Sequence, residues 1–471
     1  MSRKACVIGA GPNGLAAAIV LAQSGIDVEV LEAQSTPGGA VRTLDLTLPG
    51  FHHDFGSAVF ALAAGSPFFS SLPLAENGLE WIHSPAPVAH PLDDGTAVVL
   101  ERDLADAKSS LGEDAKTWSD LVRPFVENWN ELIPEILHPL PFIPRHPALI
   151  ARFGLLAVQP ATLIARRFRS PRTRALFAGL AAHSFLGLGE LLSGAPGMLM
   201  AISAHAVGWP IARGGAQSLT TALGGVLKNL GGRITISSPV HSLEDLNGYD
   251  LFLCDLSPES LINIAGRKLS RGYKLRLSRF RHGPGVFKLD YALNAPIPWK
   301  AQECSRAATV HLGGTFQEIA ESESSVRSGK PPDRPFVLLV QPSLFDSSRA
   351  PAGKHTAWAY CHVPRGSSVN MIDKIEAQIE RFAPGFRGCI LARSVLSPAD
   401  LERMDANLIG GDISGGIFDI HQFFSRPTTR HYATSARNIY LCSASTPPVG
   451  GVHGMCGYHA ARMALSRLHW L

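Results

Sequence analysis

The order of apolar and polar positions is clearest at the start of the chain, where residues 5–8 form a short unbroken apolar run. A run of that length before a turn signal predicts a parallel strand buried on both faces. Residues 15–23 (LAAAIVLAQ) have helical composition, and residues 27–31 (DVEVL) predict a second strand. Residues 88–100 read as a hairpin around Asp94-Gly95. From Trp118 to about Ala206 the pattern predicts several helices broken by Pro134, Pro139, Pro144, Pro160, Pro171 and Pro196. A helix over 216–230 follows, then strands at 233–237, 240–243 and 250–254. Residues 286–293 alternate as a strand does, and 309–312, 336–340, 355–363 and 389–396 extend a β-rich region. A helix is expected over 371–382, and a polar, proline-containing surface loop over 320–335. The last strand, 439–442, runs through a glycine-rich loop into a helix from about Gly454 to Leu468.

Between the first strand and first helix, Gly9, Gly11 and Gly14 stand at G-x-G-x-x-G spacing, with Pro12 and Asn13 inside the turn. Gly9 permits a tight strand-to-helix turn, Gly11 admits a pyrophosphate close to the backbone, and Gly14 lets helix and strand pack closely. The helix N-terminus offers unpaired N–H groups and partial positive charge to phosphates. Glu32, with Ala33 next to it, ends the second strand eighteen residues after Gly14. A carboxylate there accepts from both ribose hydroxyls and repels a 2′-phosphate. Gly38-Gly39 and Arg42 follow, suited to a second backbone approach and a phosphate contact. In the next stretch, HHDFGS, Gly56 and Ser57 join the candidate cofactor residues. His52, His53 and Asp54 are not expected to hold a metal, because adjacent histidines rarely converge and no third ligand is suitably spaced.

The length, 471 residues, favours two domains, and 45% hydrophobic with 17% charged residues is a globular composition. The return to strand–helix alternation after residue 205 implies a domain interrupted by an insertion. A net charge of +4 does not argue for nucleic acid. Seven scattered cysteines without CxxC suggest a reducing, cytoplasmic setting and count against structural zinc or a redox dithiol. No twenty-residue apolar span is present. One region departs from the average: between Glu135 and Glu244 the single acid is Glu190, and seven arginines fall from Arg145 to Arg174. Interleaved with apolar residues, this segment, 142–174, is suited to peripheral membrane contact or a lipophilic channel, or is a solvated cationic face.

The stretches GAGPNGLAAA, PGGAVRT, GPGVFKLDYALNAPIPW, VHLGGTFQEIA, ERFAPGF, GGDISGG and STPPVGGVHGMCGYHAAR together resemble the FAD-containing amine oxidase and phytoene desaturase superfamily. They look most like its bacterial-type phytoene desaturase branch, which includes pyridine nucleotide-disulfide oxidoreductase domain-containing proteins. The resemblance implies an α/β fold: a discontinuous Rossmann-like FAD-binding domain (1–85, 205–265 and 425–471). Into it is inserted an α+β substrate domain (86–204 and 266–424), helical over 103–204 and β-rich over 266–424. It implies non-covalent FAD, with the diphosphate at Gly9, Gly11, Gly14 and Gly38-Gly39, the ribose at Glu32, and adenine against the Val240 backbone. Gly450, Gly451, Val452 and His453 would lie along the isoalloxazine. Relatives often carry an acid after the last strand to hold the ribityl chain; here Ser443, Ala444 and Ser445 stand there, leaving the Ser445 hydroxyl and backbone.

For acid–base work the candidates are His453, in the flavin-facing loop, and Lys288, on a strand of the substrate domain. His311, Tyr360 and His362 are weaker. The implied reaction is hydride transfer from a C–C bond of an apolar, isoprenoid or carotenoid-like substrate to flavin, with oxygen or a quinone as electron acceptor. An amine oxidase acting on C–N bonds and a non-catalytic flavin-binding protein remain open. A long apolar tunnel would mark a desaturase, and a short cavity with parallel aromatic rings an amine oxidase.

Overall fold

The computed structural model describes residues 3–448 and 450–468. Strand Lys4–Ile8 lies in the middle of a five-stranded parallel sheet, in the order Ile439–Leu441, Leu251–Cys254, Lys4–Ile8, Asp27–Leu31, Arg233–Thr235. Its unbroken apolar run has a simple cause. Ala5 and Val7 point into a core shared with helix Pro12–Gln23, while Cys6 and Ile8 point the other way, towards Leu261, Ile264 and Tyr273. Because strand side chains alternate, a strand covered on both faces must be apolar throughout. Helix Met455–Leu468 packs on helix Pro12–Gln23, so both ends of the chain meet in one fold. Such close packing depends on Gly457, where a Cβ would fall 1.8 Å from the Asn13 carbonyl oxygen.

The second sheet has seven strands: Ile390–Leu396, Gly285–Leu293, His355–Val363, Val337–Val340, Ala307–Leu312, Ala86–Pro91 and Ala97–Leu100. All neighbours are antiparallel except Ala307–Leu312 beside Ala86–Pro91. Alternation sorts its residues again. Phe287, Leu289, Tyr291 and Leu293 join a core closed by helix Ile372–Phe382, whereas Val286, Leu338, Val340, Trp358 and Tyr360 belong to the core that includes the first helix. The molecule is therefore a mixed α/β protein with a Rossmann-like sheet and a separate mixed sheet facing it.

Three sequence expectations fail. Residues 240–243 form no strand: Ser237 takes a positive φ of 52° and Ser238 N–H donates to the Glu32 carbonyl, so the chain turns over the sheet edge instead. Residues 320–335 are not all loop, because helix Phe316–Arg327 occupies the first part, begun by a capping box in which Thr315 and Glu318 bond each other's backbone N–H. Its buried face carries Ser322 and Glu323 beside Ile319 and Val326, which hides its amphipathicity from the sequence. Finally, the prolines interrupt the helical region less than expected. Pro134 lies inside helix Trp129–Ile136, and Pro196 lies in the first turn of Gly194–Ala206, where its missing N–H loses no intrahelical bond. Among the described residues, no helix is long and apolar enough to cross a membrane.

Candidate functional site

The first turn is built around hydrogen-bond donors. Gly9 adopts φ 97°, a conformation that glycine takes without a Cβ penalty, and its N–H donates to the Leu31 carbonyl. The Glu32 carboxylate is nearly buried. It accepts from Ala10 N–H at Oε2 and from Gln34 N–H at Oε1, both at 2.8 Å. Two backbone donors thus fix its orientation at the end of the second strand, with Ala33 exposed beside it. Helix Pro12–Gln23 has no side-chain cap on its N-cap residue, Gly11. The Gly14 N–H is instead met from another strand, donating to Asp255 Oδ2 at 2.8 Å. Asn13, in the first turn, is buried, and its Oδ1 has no hydrogen-bond partner.

The second glycine pair sits over the first turn: a Cβ on Gly39 would lie 3.4 Å from the Gly11 Cα. Arg42 is buried. Its Nε donates to the Gly39 carbonyl at 2.7 Å and its Nη2 to the Met404 carbonyl at 2.9 Å, so it ties these loops together. Burial draws its pKa below the ordinary arginine value. Val240 is half-buried on irregular chain.

At the other end, Ser443 and Ser445 are buried, and the Ser445 N–H donates to Ser443 Oγ at 3.4 Å. Where the sequence lacks an acid, the fold places a cation: Arg426 is buried, donating to the carbonyls of Gly415, Gly416, Ile417 and Ala444. Its guanidinium lies 3.8 Å from the Phe418 ring centroid. His453 is wholly buried; its Nδ1 accepts from Met455 N–H at 3.0 Å, and its carbonyl accepts from Ser66 Oγ at 2.6 Å. It therefore serves the entry to the C-terminal helix.

Between these two ends lies a cavity of ≈240 Å³. Gly56, Ser57, Leu62, Gly451 and Val452 line it from the nucleotide-fold side. Val286, Lys288, Thr309, Leu338, Val340, Trp358 and Tyr360 line it from the mixed sheet, with His183, Met200 and Trp209 completing the wall. Among the described residues Lys288 is the one charged side chain in that lining. Its Nζ is held by both Asp290 oxygens, at 2.6 and 2.5 Å, and stands 5.5 Å from the Trp358 ring centroid. Burial pushes the Asp290 carboxyl up from its ordinary value. Behind it, His53 Nδ1 is 3.7 Å from Asp290, while its Nε2 is 2.7 Å from Thr47 Oγ1. Burial first, then Lys288 and Arg349, drive the His53 pKa down to about 3, so the ring is neutral.

The remaining candidates lie on the same sheet face. Tyr360 stacks on Trp358, with centroids 5.5 Å apart and planes at 15°. His311 Nε2 meets His183 Nε2 at 3.2 Å, and His362 Nδ1 meets Glu323 Oε2 at 2.7 Å. Asp54 pairs with Arg349 at 2.8 Å and His52 with Asp45 at 2.7 Å, so the HHD triplet is dispersed. Among the described residues no group of three or more His, Cys, Asp or Glu converges for a metal ion.

Residues 7–71 match the family model described as an NAD(P)-binding Rossmann-like domain. Pyridine nucleotide-disulfide oxidoreductase domain-containing protein 2 of Rattus norvegicus is 24% identical, covering 98% of this chain and 93% of the relative. The lycopene-forming phytoene desaturase of Pseudescherichia vulneris is also 24% identical, over 98% of this chain and 99% of its own. An engineered putrescine oxidase of known structure superposes with a TM-score of 0.63 at 16% identity, covering both chains completely. Over nearly its whole length the chain is thus similar to phytoene desaturases and pyridine nucleotide-disulfide oxidoreductase domain-containing proteins, and it shares its fold with a flavin amine oxidase.

These similarities support a flavin-type oxidoreductase, and the residues present fit a dinucleotide cofactor. An uncapped helix N-terminus lies under two glycine turns, an oriented carboxylate ends the second strand, and a cavity abuts the C-terminal loop. Several contributors went unnoticed in the sequence: Asp255, Trp358, Arg349 and Arg426. Asp255 had a legible signal, since it directly follows strand Leu251–Cys254 as Glu32 follows its own strand. The others reach the site only through sheet register and loop packing.

Proposed function

We propose that this protein is an FAD-dependent dehydrogenase that removes a hydride from one carbon and a proton from its neighbour, converting a C–C bond of a compact apolar substrate, or of the compact end of an isoprenoid one, to C=C. The observation that carries this reading is the cavity: its lining is apolar and aromatic, contains no carboxylate, and joins the C-terminal glycine loop to the mixed sheet. When bound, FAD supplies the two-electron acceptor. Val286, Leu338, Val340 and Trp358 exclude water and position the substrate. The Lys288–Asp290 pair is the proton store beside it, with Asp290 the group whose carboxyl burial makes easier to protonate. His453 caps the C-terminal helix through its Nδ1.

Two features bear on the alternatives. At ≈240 Å³ the space is compact compared with ordinary ligand pockets. The parallel rings expected of an amine oxidase are present as Trp358 and Tyr360, but at 5.5 Å they are in stacking contact and leave no gap for an amine. An ammonium in a lining without carboxylate further disfavours a cationic substrate.

Oxygen or a quinone is the proposed electron acceptor, and residues 142–174 the proposed contact with an anionic membrane. There Ile143, Leu155 and Leu163 are exposed beside Arg145, Arg152, Arg166, Arg167 and Arg169, none of which forms an ion pair among the described residues. Arg172 and Arg174, by contrast, are engaged with the 96–97 turn and the Phe168 carbonyl. Acid precipitation of purified protein should release FAD into a yellow supernatant. Mass spectrometry of co-purifying small molecules should find an apolar compound, whose addition under anaerobic conditions bleaches the bound flavin. A colourless protein that FAD cannot reconstitute refutes the proposal.

A further inference from the structure

The three fingerprint glycines pack on one residue outside the fingerprint. A Cβ on Gly9 would fall 2.9 Å from the Asp255 carbonyl oxygen; one on Gly11 would fall 2.7 Å from Asp255 Oδ2. On Gly14 it would meet Asp255 Cβ and Oδ2 at 3.1 Å. Asp255 is itself rigidly placed: its N–H donates to the Ile8 carbonyl at 2.8 Å, and its carbonyl accepts from Asn407 Nδ2 at 2.9 Å. Its carboxyl thus occupies the inside of the turn, with Oδ2 on the Gly14 N–H, where backbone donors would otherwise be free for a phosphate.

An aspartate at a helix N-terminus is ordinarily a stabilising anion. The surroundings argue otherwise here. Among the described residues no cation pairs with Asp255, and the other acids around the turn are the buried Glu32 and the half-buried Asp405. Arg42 faces Asp405 and Glu32 while donating to backbone carbonyls. The thiols of Cys254, Cys442 and Cys456, which also face Asp255, are all pushed up by burial and stay neutral. Burial, opposed by the Gly14 hydrogen bond and reinforced by Asp405 and Glu32, raises the Asp255 pKa to about 7.

We propose that Asp255 must carry a proton when the dinucleotide's diphosphate occupies the glycine turn, so that cofactor binding takes up a proton and cofactor retention is pH-dependent. As the neutral acid, Asp255 accepts from Gly14 at one oxygen and has an O–H to give at the other. As the anion it would bring a further carboxylate, with no cation of its own, beside a diphosphate already doubly charged. This inference rests on the FAD reading above.

The test is FAD titration of the deflavinated full-length protein by fluorescence, from pH 6 to pH 9. For one linked proton, Kd should be flat below pH 6.5 and rise about tenfold per pH unit above pH 7. Asp255→Asn, which fixes an acceptor and a donor in the same shape, should bind at pH 6 within about threefold of wild type and lose the slope. Asp405→Asn should keep it. Calorimetry of the wild type at pH 7.5 in two buffers of different ionisation enthalpy should show about one proton taken up per FAD; this arm needs no variant to fold. A flat wild-type profile with no proton uptake overturns the proposal, as does a slope that survives in Asp255→Asn or vanishes in Asp405→Asn. Failure to bind FAD at any pH would instead overturn the cofactor reading itself.

Discussion

Replacing Lys288 with methionine removes the ammonium that compensates Asp290 while nearly keeping the volume. Asp290 is wholly buried, so the variant has two options: keep an uncompensated buried charge, or protonate the carboxyl. Protonation is the cheaper course and sets the expected size. With an unfolded-state pKa near 3.9, protonating one carboxyl costs about 4 kcal/mol at pH 7 and about 1.5 kcal/mol at pH 5. The sign follows from linkage. A carboxyl whose folded pKa is raised binds its proton more tightly in the native state, so stability falls as pH rises from about 4 towards the folded pKa. Loss of the Lys288–Trp358 contact adds a pH-independent term of about 1 kcal/mol. Urea denaturation at pH 5, 6 and 7 should therefore show Lys288→Met growing less stable relative to wild type by about 1.4 kcal/mol per pH unit. Lys288→Met/Asp290→Asn should lose that slope. A destabilisation of equal size at all three pH values, or a slope persisting in the double variant, would mean that the Lys288–Asp290 pair does not exist as described.

Two further outcomes follow from the geometry. Glu32→Ala removes both the ribose acceptor and the partner of the Ala10 and Gln34 N–H groups, so FAD affinity should fall by about 2–4 kcal/mol in fluorescence titration; retention through dialysis at the wild-type level would displace the adenosine end from this turn. Co-sedimentation with anionic liposomes should appear at low salt, fade as salt rises, and weaken in Arg166→Gln/Arg167→Gln/Arg169→Gln without loss of flavin. Wild-type protein left in the supernatant at low salt would make these arginines a solvated face.

The nucleotide end was legible because its logic is local. The G-x-G-x-x-G turn, the strand before it and Glu32 at the end of the next strand fall within about thirty residues, and strand alternation already separates Ala5 and Val7 from Cys6 and Ile8. Lys288 could be nominated from its place on an alternating strand. Its partner Asp290, two residues on, shares its face for the same reason. What failed also has local causes. The buried Ser322 and Glu323 disguised helix Phe316–Arg327, and a positive φ at Ser237 ended the sheet edge where hydrophobicity alone suggested another strand.

The substrate wall was a different matter. Trp358 and Tyr360 lie some seventy residues from Lys288 in sequence and come beside it only through the antiparallel register that pairs Lys288 with Tyr360 and Asp290 with Trp358. Asp255 reaches the glycine turn because strand Leu251–Cys254 inserts next to strand Lys4–Ile8, and Arg349 reaches Asp54 through a loop almost three hundred residues away. By itself the sequence determined the periodic elements, the nucleotide turn and the kind of cofactor it suits, since these depend on spacing along the chain. Only the tertiary structure decided the cavity's size, the neutrality of His53 and the charge environment of Asp255. Those are properties of burial and of distances across strands, and burial is fixed only once the two sheets have closed on each other.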